Sequence, residues 1–158
     1  KSITSIQEFD GFKRNFIKID ADWSTRNELA SRYDTYIAGS DQIWSPTSVF
    51  DDFYYLGFTD RTKVAYAPSL GTKVYPEAMV PRVRQYLDSF SALSVRERQG
   101  ADILKEKFSF YAEVVADPTM LLTADDWNAL LPETGDASAP YALCYFLTFN
   151  RKYVDFAK

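Results

Sequence analysis

FSALSVRERQGADIL, Phe90 to Leu104, carries an apolar run, Ala92 to Val95, that is broken abruptly by Arg96-Glu97-Arg98 and followed by a stripe at Ala101, Leu104 and Phe108. A short apolar run giving way to a spacing of three and four predicts a strand that runs directly into a helix opening near Glu97. Working outward, further short apolar runs read as strands at Tyr33 to Ala38, Phe53 to Phe58, Lys63 to Ala67, Glu113 to Ala116 and Tyr141 to Leu147. Met79, Val83, Tyr86, Leu87 and Phe90 recur at helical spacing, with Pro81 tolerable near a first turn. Thr123 is placed to cap a short helix whose positive first turn holds Asp125 and Asp126, with Trp127, Leu130 and Leu131 expected to face inward. Strands alternating with helices predict an α/β fold, a parallel sheet with flanking helices, and the continuous apolar run at Tyr141 suits a strand covered on both faces.

The composition of the 158 residues bounds what such a fold can do. Hydrophobic residues make up 46% and charged residues 25%, enough apolar surface to order the chain without disulfide or metal staples. There is no histidine, so Ser-His-Asp and Cys-His catalysis and histidine zinc sites cannot be assembled from these residues alone. The single Cys144 lies in an apolar run and is expected to be a buried, inert thiol. No apolar stretch approaches the roughly 20 residues that cross a bilayer, and the expected location is cytoplasmic. A net charge of −4 argues against nucleic acid or anionic lipid as a non-specific partner. Within that balance residues 61–112 carry 9 positive and 5 negative side chains, a basic middle third compatible either with an anionic small-molecule site or with solvated helix faces.

Four polar clusters follow strands directly: Gly39-Ser40-Asp41-Gln42, Pro68-Ser69-Leu70-Gly71, Arg96-Glu97-Arg98 and Asp117-Pro118-Thr119. Parallel strands all end at one edge of their sheet, which is where open α/β sheets bind ligands, so the clusters are expected to share a rim. Gly39 and Gly71 permit close backbone approach there, and Arg96, between strand and helix, is the candidate for holding a phosphate or carboxylate. Each cluster also has a structural reading: Asp41 as a cap, Ser69 to Gly71 as a turn, Arg96 with Glu97 as a surface pair, and Asp117-Pro118 as a strand terminator.

Taken in series, YDTYIAGSDQIW (Tyr33 to Trp44), KVAYAPSLG (Lys63 to Gly71), FSALSVRERQGADIL, VVADPTMLLTADDW (Val114 to Trp127) and YALCYFL (Tyr141 to Leu147) resemble the polysaccharide pyruvyl transferases, from about residue 29 to residue 147. The resemblance implies a Rossmann-like half of a glycosyltransferase-B-like, two-domain enzyme, with an N-terminal α/β domain over 1–130, a linker at 131–140 and the start of a second α/β domain at 141–158. It implies transfer of a pyruvyl group from phosphoenolpyruvate to a sugar or lipid-linked oligosaccharide of a bacterial surface polysaccharide, with no cofactor and no metal. Arg96 takes donor binding from the family's strand-to-helix motif; Gly39, Ser40, Asp41, Gln42, Ser69, Gly71, Glu97 and Asp117 take a place lining the cleft. The family's glycine-containing first strand-loop is not matched, and its acid/base histidine is expected in the second domain, so these residues alone are expected to be inactive. A nucleotide-sugar glycosyltransferase of similar fold and a non-catalytic α/β binding module are the competing readings.

Overall fold

A computed structural model describes residues 3–17, 26–47, 50–130, 144 and 151–156. Four strands form one sheet in the order β1 (Thr35–Ala38), β2 (Thr62–Ala65), β3 (Ala92–Val95) and β4 (Glu113–Val114), and every pairing is parallel. The α/β class and the parallel sheet are therefore as the alternation predicts, a Rossmann-like arrangement. The register places Ile37 beside Val64 and Ala65 beside Leu93.

Connections between strands carry the helices: α3 (Val80–Leu87) lies between β2 and β3, and α4 (Arg98–Ile103) between β3 and β4. Pro81 sits in the first turn of α3, where its missing N–H costs nothing, and Val83 and Leu87 are buried. The stripe that opens α4 continues through a wider turn at Leu104–Phe108 and stops at left-handed Ser109. Leu104 and Phe108 are both buried, and the Phe108 ring meets Tyr75 edge-on at 5.1 Å. Burial alternates along β1, with Tyr36 and Ala38 inside and Thr35 and Ile37 outside. Two polar side chains enter the sheet interior with partners: Ser94 Oγ donates to Ala65 O at 2.8 Å, and Lys63 Nζ donates to Ser89 Oγ at 3.2 Å. Burial lowers the Lys63 amine from its usual value.

One expected strand is not a strand. Phe53 to Phe58 instead contains a 3-10 turn, Asp52–Tyr55, whose start is capped by Asp51 accepting from Phe53 N and whose end is left-handed Leu56. The aromatics that raise strand propensity are used here for packing: Tyr55 is buried and stacks on Trp44 at 5.4 Å, with planes 6° apart, and Phe50 also stacks on Tyr55 at 5.5 Å.

The chain divides into two compact units, Lys1–Leu121 and Leu122–Lys158. The first also contains α1 (Ile3–Phe16) and α2 (Arg26–Leu29); the second contains α5 (Ala124–Leu130) and α6 (Arg151–Phe156). Thr123 does cap α5: its Oγ1 accepts from Asp126 N at 3.2 Å while the Asp126 carboxylate accepts from Thr123 N at 2.8 Å, a reciprocal box. Trp127, expected to face inward, is 38% exposed. Cys144, expected to be buried, is exposed: the expectation rested on a strand at Tyr141–Leu147 sheltered on both faces, and the rest of that run, like the linker at 131–140 and Leu131, lies outside the described residues. Among the described residues no helix is long and apolar enough to cross a membrane.

Phe108 fills the core at 0% exposure, so Phe108→Ala should lower the unfolding free energy by about 3–5 kcal/mol, read from chemical denaturation midpoints.

Candidate functional site

The loops leaving β1, β2 and β3 are laced together by their backbones. Ser69 N donates to Asp41 O at 2.7 Å, Trp44 N to Ser69 O at 3.3 Å, and Arg96 N to Pro68 O at 3.3 Å. The fourth loop joins through a side chain, as Arg96 Nη1 donates to Asp117 Oδ2 at 2.8 Å. The four clusters, separated by up to 78 positions between Gly39 and Asp117, thus share the rim at which the strands end.

Local sequence makes this possible. Gly39 leaves β1 at φ +149°, and a Cβ there would stand 1.8 Å from Tyr66 O, a separation no side chain survives. Gly71 has φ +60°, and its missing side chain admits Gln42, whose Cδ would lie 2.8 Å from an added Cβ. Ser69 is buried, and its Oγ accepts from Gly71 N at 3.1 Å, closing the turn. Gln42, Ser69, Gly71, Thr72, Glu97 and Gln99 line a cleft of about 130 Å³. At roughly 30 Å³ per water that is room for a few water molecules or a small polar group. Thr72 and Gln99 were not singled out from the sequence, although one adjoins Gly71 and the other sits three residues past Arg96.

Arg96 stands beside this cleft and faces three carboxylates. Besides Asp117, Nε donates to Glu97 Oε1 at 3.1 Å, and Nη2 lies 3.9 Å from Asp41 Oδ1. The surface-pair reading of Arg96 with Glu97 is therefore met as well, within a larger cluster. The hydrogen bonds it donates to Asp117 and then to Glu97 raise the guanidinium's pKa. Asp117 moves the other way: the Thr119 backbone N–H, then Arg96, then the Thr119 hydroxyl hold its carboxyl down at about 2. One cation against three anions leaves the cluster acidic overall. A larger cleft, about 420 Å³, lies between α4 and β4, lined by Arg98, Asp102, Lys105, Tyr111, Glu113 and Val114. Its lining mixes both signs of charge and includes none of the four clusters' rim residues except Arg98, so the geometry favours the smaller cleft beside Arg96 as the candidate site.

A family profile described as polysaccharide pyruvyl transferase matches residues 4–158. The chain belongs to the polysaccharide pyruvyl transferase family. The match extends the resemblance carried by the motifs to α1 at one end and α6 at the other. Membership makes the protein a transferase of polysaccharide biosynthesis with a sugar or polysaccharide acceptor. No curated protein and no solved structure gives a significant match.

Two outcomes follow from the rim. Gly39→Ala should cost about 3 kcal/mol or more in unfolding free energy, whereas Gly11→Ala, where an added Cβ meets nothing within 4 Å, should gain a few tenths to about 1 kcal/mol; both are read by denaturation. Because the folded Asp117 carboxyl titrates at about 2, below its ordinary 3.8, its contribution to stability is complete above the ordinary value and is lost as pH falls toward 2. Melting temperatures measured from pH 6 to pH 2 should therefore fall less steeply over that acidic window in Asp117→Asn than in the parent.

Proposed function

We propose that the protein transfers a pyruvyl group from phosphoenolpyruvate to two hydroxyls of one sugar, in a bacterial surface polysaccharide or its lipid-linked precursor, and so forms a cyclic ketal. A proton adds to the methylene carbon of the donor, which becomes a methyl group, and positive charge develops at the neighbouring carbon. One sugar hydroxyl bonds to that carbon and gives up its proton. The C–O bond to phosphate then breaks, the second hydroxyl closes the ring, and its proton leaves with the phosphate. The scheme uses neither a metal nor a cofactor.

What this chemistry asks of a protein is neutralisation of a phosphate and a carboxylate, exclusion of water, and an acid/base group. Arg96 is the residue that carries the reading, since it stands at the strand-to-helix junction of the family motif and at the rim where four strand ends meet. Its Asp41 contact is the weakest of its three, at 3.9 Å from a side chain that is 86% exposed, and is the one an incoming donor would replace. The cleft alongside, with Gln42, Ser69, Thr72 and Gln99, offers amides and hydroxyls to the reacting groups. Arg96 supplies charge rather than a proton, and we expect the 158 residues to bind the donor.

Calorimetric titration with phosphoenolpyruvate tests this. The parent chain should bind, with a nucleoside diphosphate giving no heat, and Arg96→Ala should bind about tenfold or more weakly, the worth of a lost hydrogen bond to a charged group. Equal affinity in parent and variant would remove Arg96 from the donor site.

A further inference from the structure

Asp117 divides its two carboxylate oxygens between two tasks. Oδ1 accepts from Thr119 N at 3.0 Å and from Thr119 Oγ1 at 2.8 Å, while Oδ2 accepts from Arg96 Nη1 at 2.8 Å. A carboxylate bonded only through one oxygen turns freely about its last torsion, which is broad and nearly two-fold. Two bonds from one residue on Oδ1 stop that turn and fix the direction in which Oδ2 points. The guanidinium inherits the direction. Arg96 has five N–H donors in a rigid plane; Nε is taken by Glu97 and one N–H of Nη1 by Asp117. Among the described residues no hydrogen bond reaches Nη2, whose neighbour Asp41 stands at 3.9 Å. Both N–H groups of Nη2 and the second N–H of Nη1 are thus the donors left for a phosphate or carboxylate.

We propose that Asp117 and Thr119 are positioning residues that hold the Arg96 guanidinium plane so that its Nη2 end is presented to the donor. The inference rests on the donor assignment of Arg96 made above. A simpler duty is also visible, because Asp117 caps the 3-10 turn Pro118–Leu121 and its carbonyl accepts from Met120 N at 2.9 Å. The two duties separate cleanly by substitution. Asn at 117 caps a turn as well as Asp does but carries no charge for Arg96, and Val at 119 keeps the backbone N–H while removing the hydroxyl. Thr119 is exposed, so its replacement leaves the core untouched.

The test uses the 158-residue chain labelled with nitrogen-15, the Arg96 signals being assigned by their disappearance in Arg96→Lys. In the parent, Arg96 should show two distinct Nη resonances, the signature of hindered rotation about Nε–Cζ, without any ligand present. Thr119→Val and Asp117→Asn should merge them, and Thr119→Ser should restore them. Phosphoenolpyruvate titrations should show about fivefold weaker binding in Thr119→Val, about tenfold or more in Asp117→Asn, and a value within about twofold of the parent in Thr119→Ser. Distinct Nη resonances persisting in both Thr119→Val and Asp117→Asn would overturn the positioning role, whatever happens to affinity, and so would unchanged affinity in both. A parent chain that fails to bind phosphoenolpyruvate while the Nη resonances still merge in the variants would sink the donor reading and leave the clamp on Arg96 standing.

Discussion

Ser94 Oγ, buried where β2 and β3 meet, donates to Ala65 O and accepts from Ala67 N at 3.2 Å. Those two groups lie on either side of the point at which β2 stops pairing with β3, so one hydroxyl replaces the ladder where the chain must turn. Ala67 takes a left-handed φ of 56° and is fully buried, and Pro68 O then accepts from Arg96 N at 3.3 Å. Had β2 run on for two further residues, Pro68 O would not stand where Arg96 N donates to it, and Ser69 would not reach Asp41 O. An unpaired buried hydroxyl costs about 1–3 kcal/mol, so Ser94 is tolerated in the sheet interior because both of its bonds are made. The rim of the sheet depends on this bend.

Charge at that rim runs against simple expectation. A site for the proposed donor, which carries both phosphate and carboxylate, is expected to be basic, yet Arg96 is surrounded by Asp41, Glu97 and Asp117. The arrangement makes sense if the carboxylates differ in job. Asp117 is tied down by Thr119 and stays; Asp41 is solvent-exposed and distant, and its attraction to Arg96 is screened and weak. A guanidinium held by a fixed anion on one side and a loose one on another is pre-aligned, and exchanging a loose carboxylate for a phosphate costs little.

Much of this was legible in the sequence because it rests on local rules. Strand ends at Ala38 and Val95 are marked by Gly39 and Arg96, whose backbone or charge does not continue a strand, whereas β2 and β4 stop at Ala65 and Val114, two residues short of the expected ends at Ala67 and Ala116 and ahead of the Pro68 and Asp117-Pro118 turns. That the strand ends converge follows from parallel pairing alone. What was not legible depends on tertiary contacts. The Phe53–Phe58 run has strand propensity, but Asp51 caps its start and the Trp44 ring claims Tyr55, so packing outweighs propensity. Thr119 was visible as a neighbour of Asp117, but nothing in the letters says that its hydroxyl and N–H converge on the oxygen that Arg96 does not use.

The same bonds limit what the rim contributes to chemistry. Thr119 and Arg96 keep Asp117 ionised down to about pH 2, and Asp117 and Glu97 push the Arg96 guanidinium still higher than its ordinary value. A general acid works best when its pKa lies near the working pH, and these two groups are moved away from neutrality in opposite directions. Neither is suited to deliver the proton that the proposed donor's methylene carbon requires. Their mutual contact therefore favours charge and direction over proton transfer: the stronger the pair that aims Arg96, the less available either partner is as an acid or base, and the proton must be carried by a group that stands outside the pair.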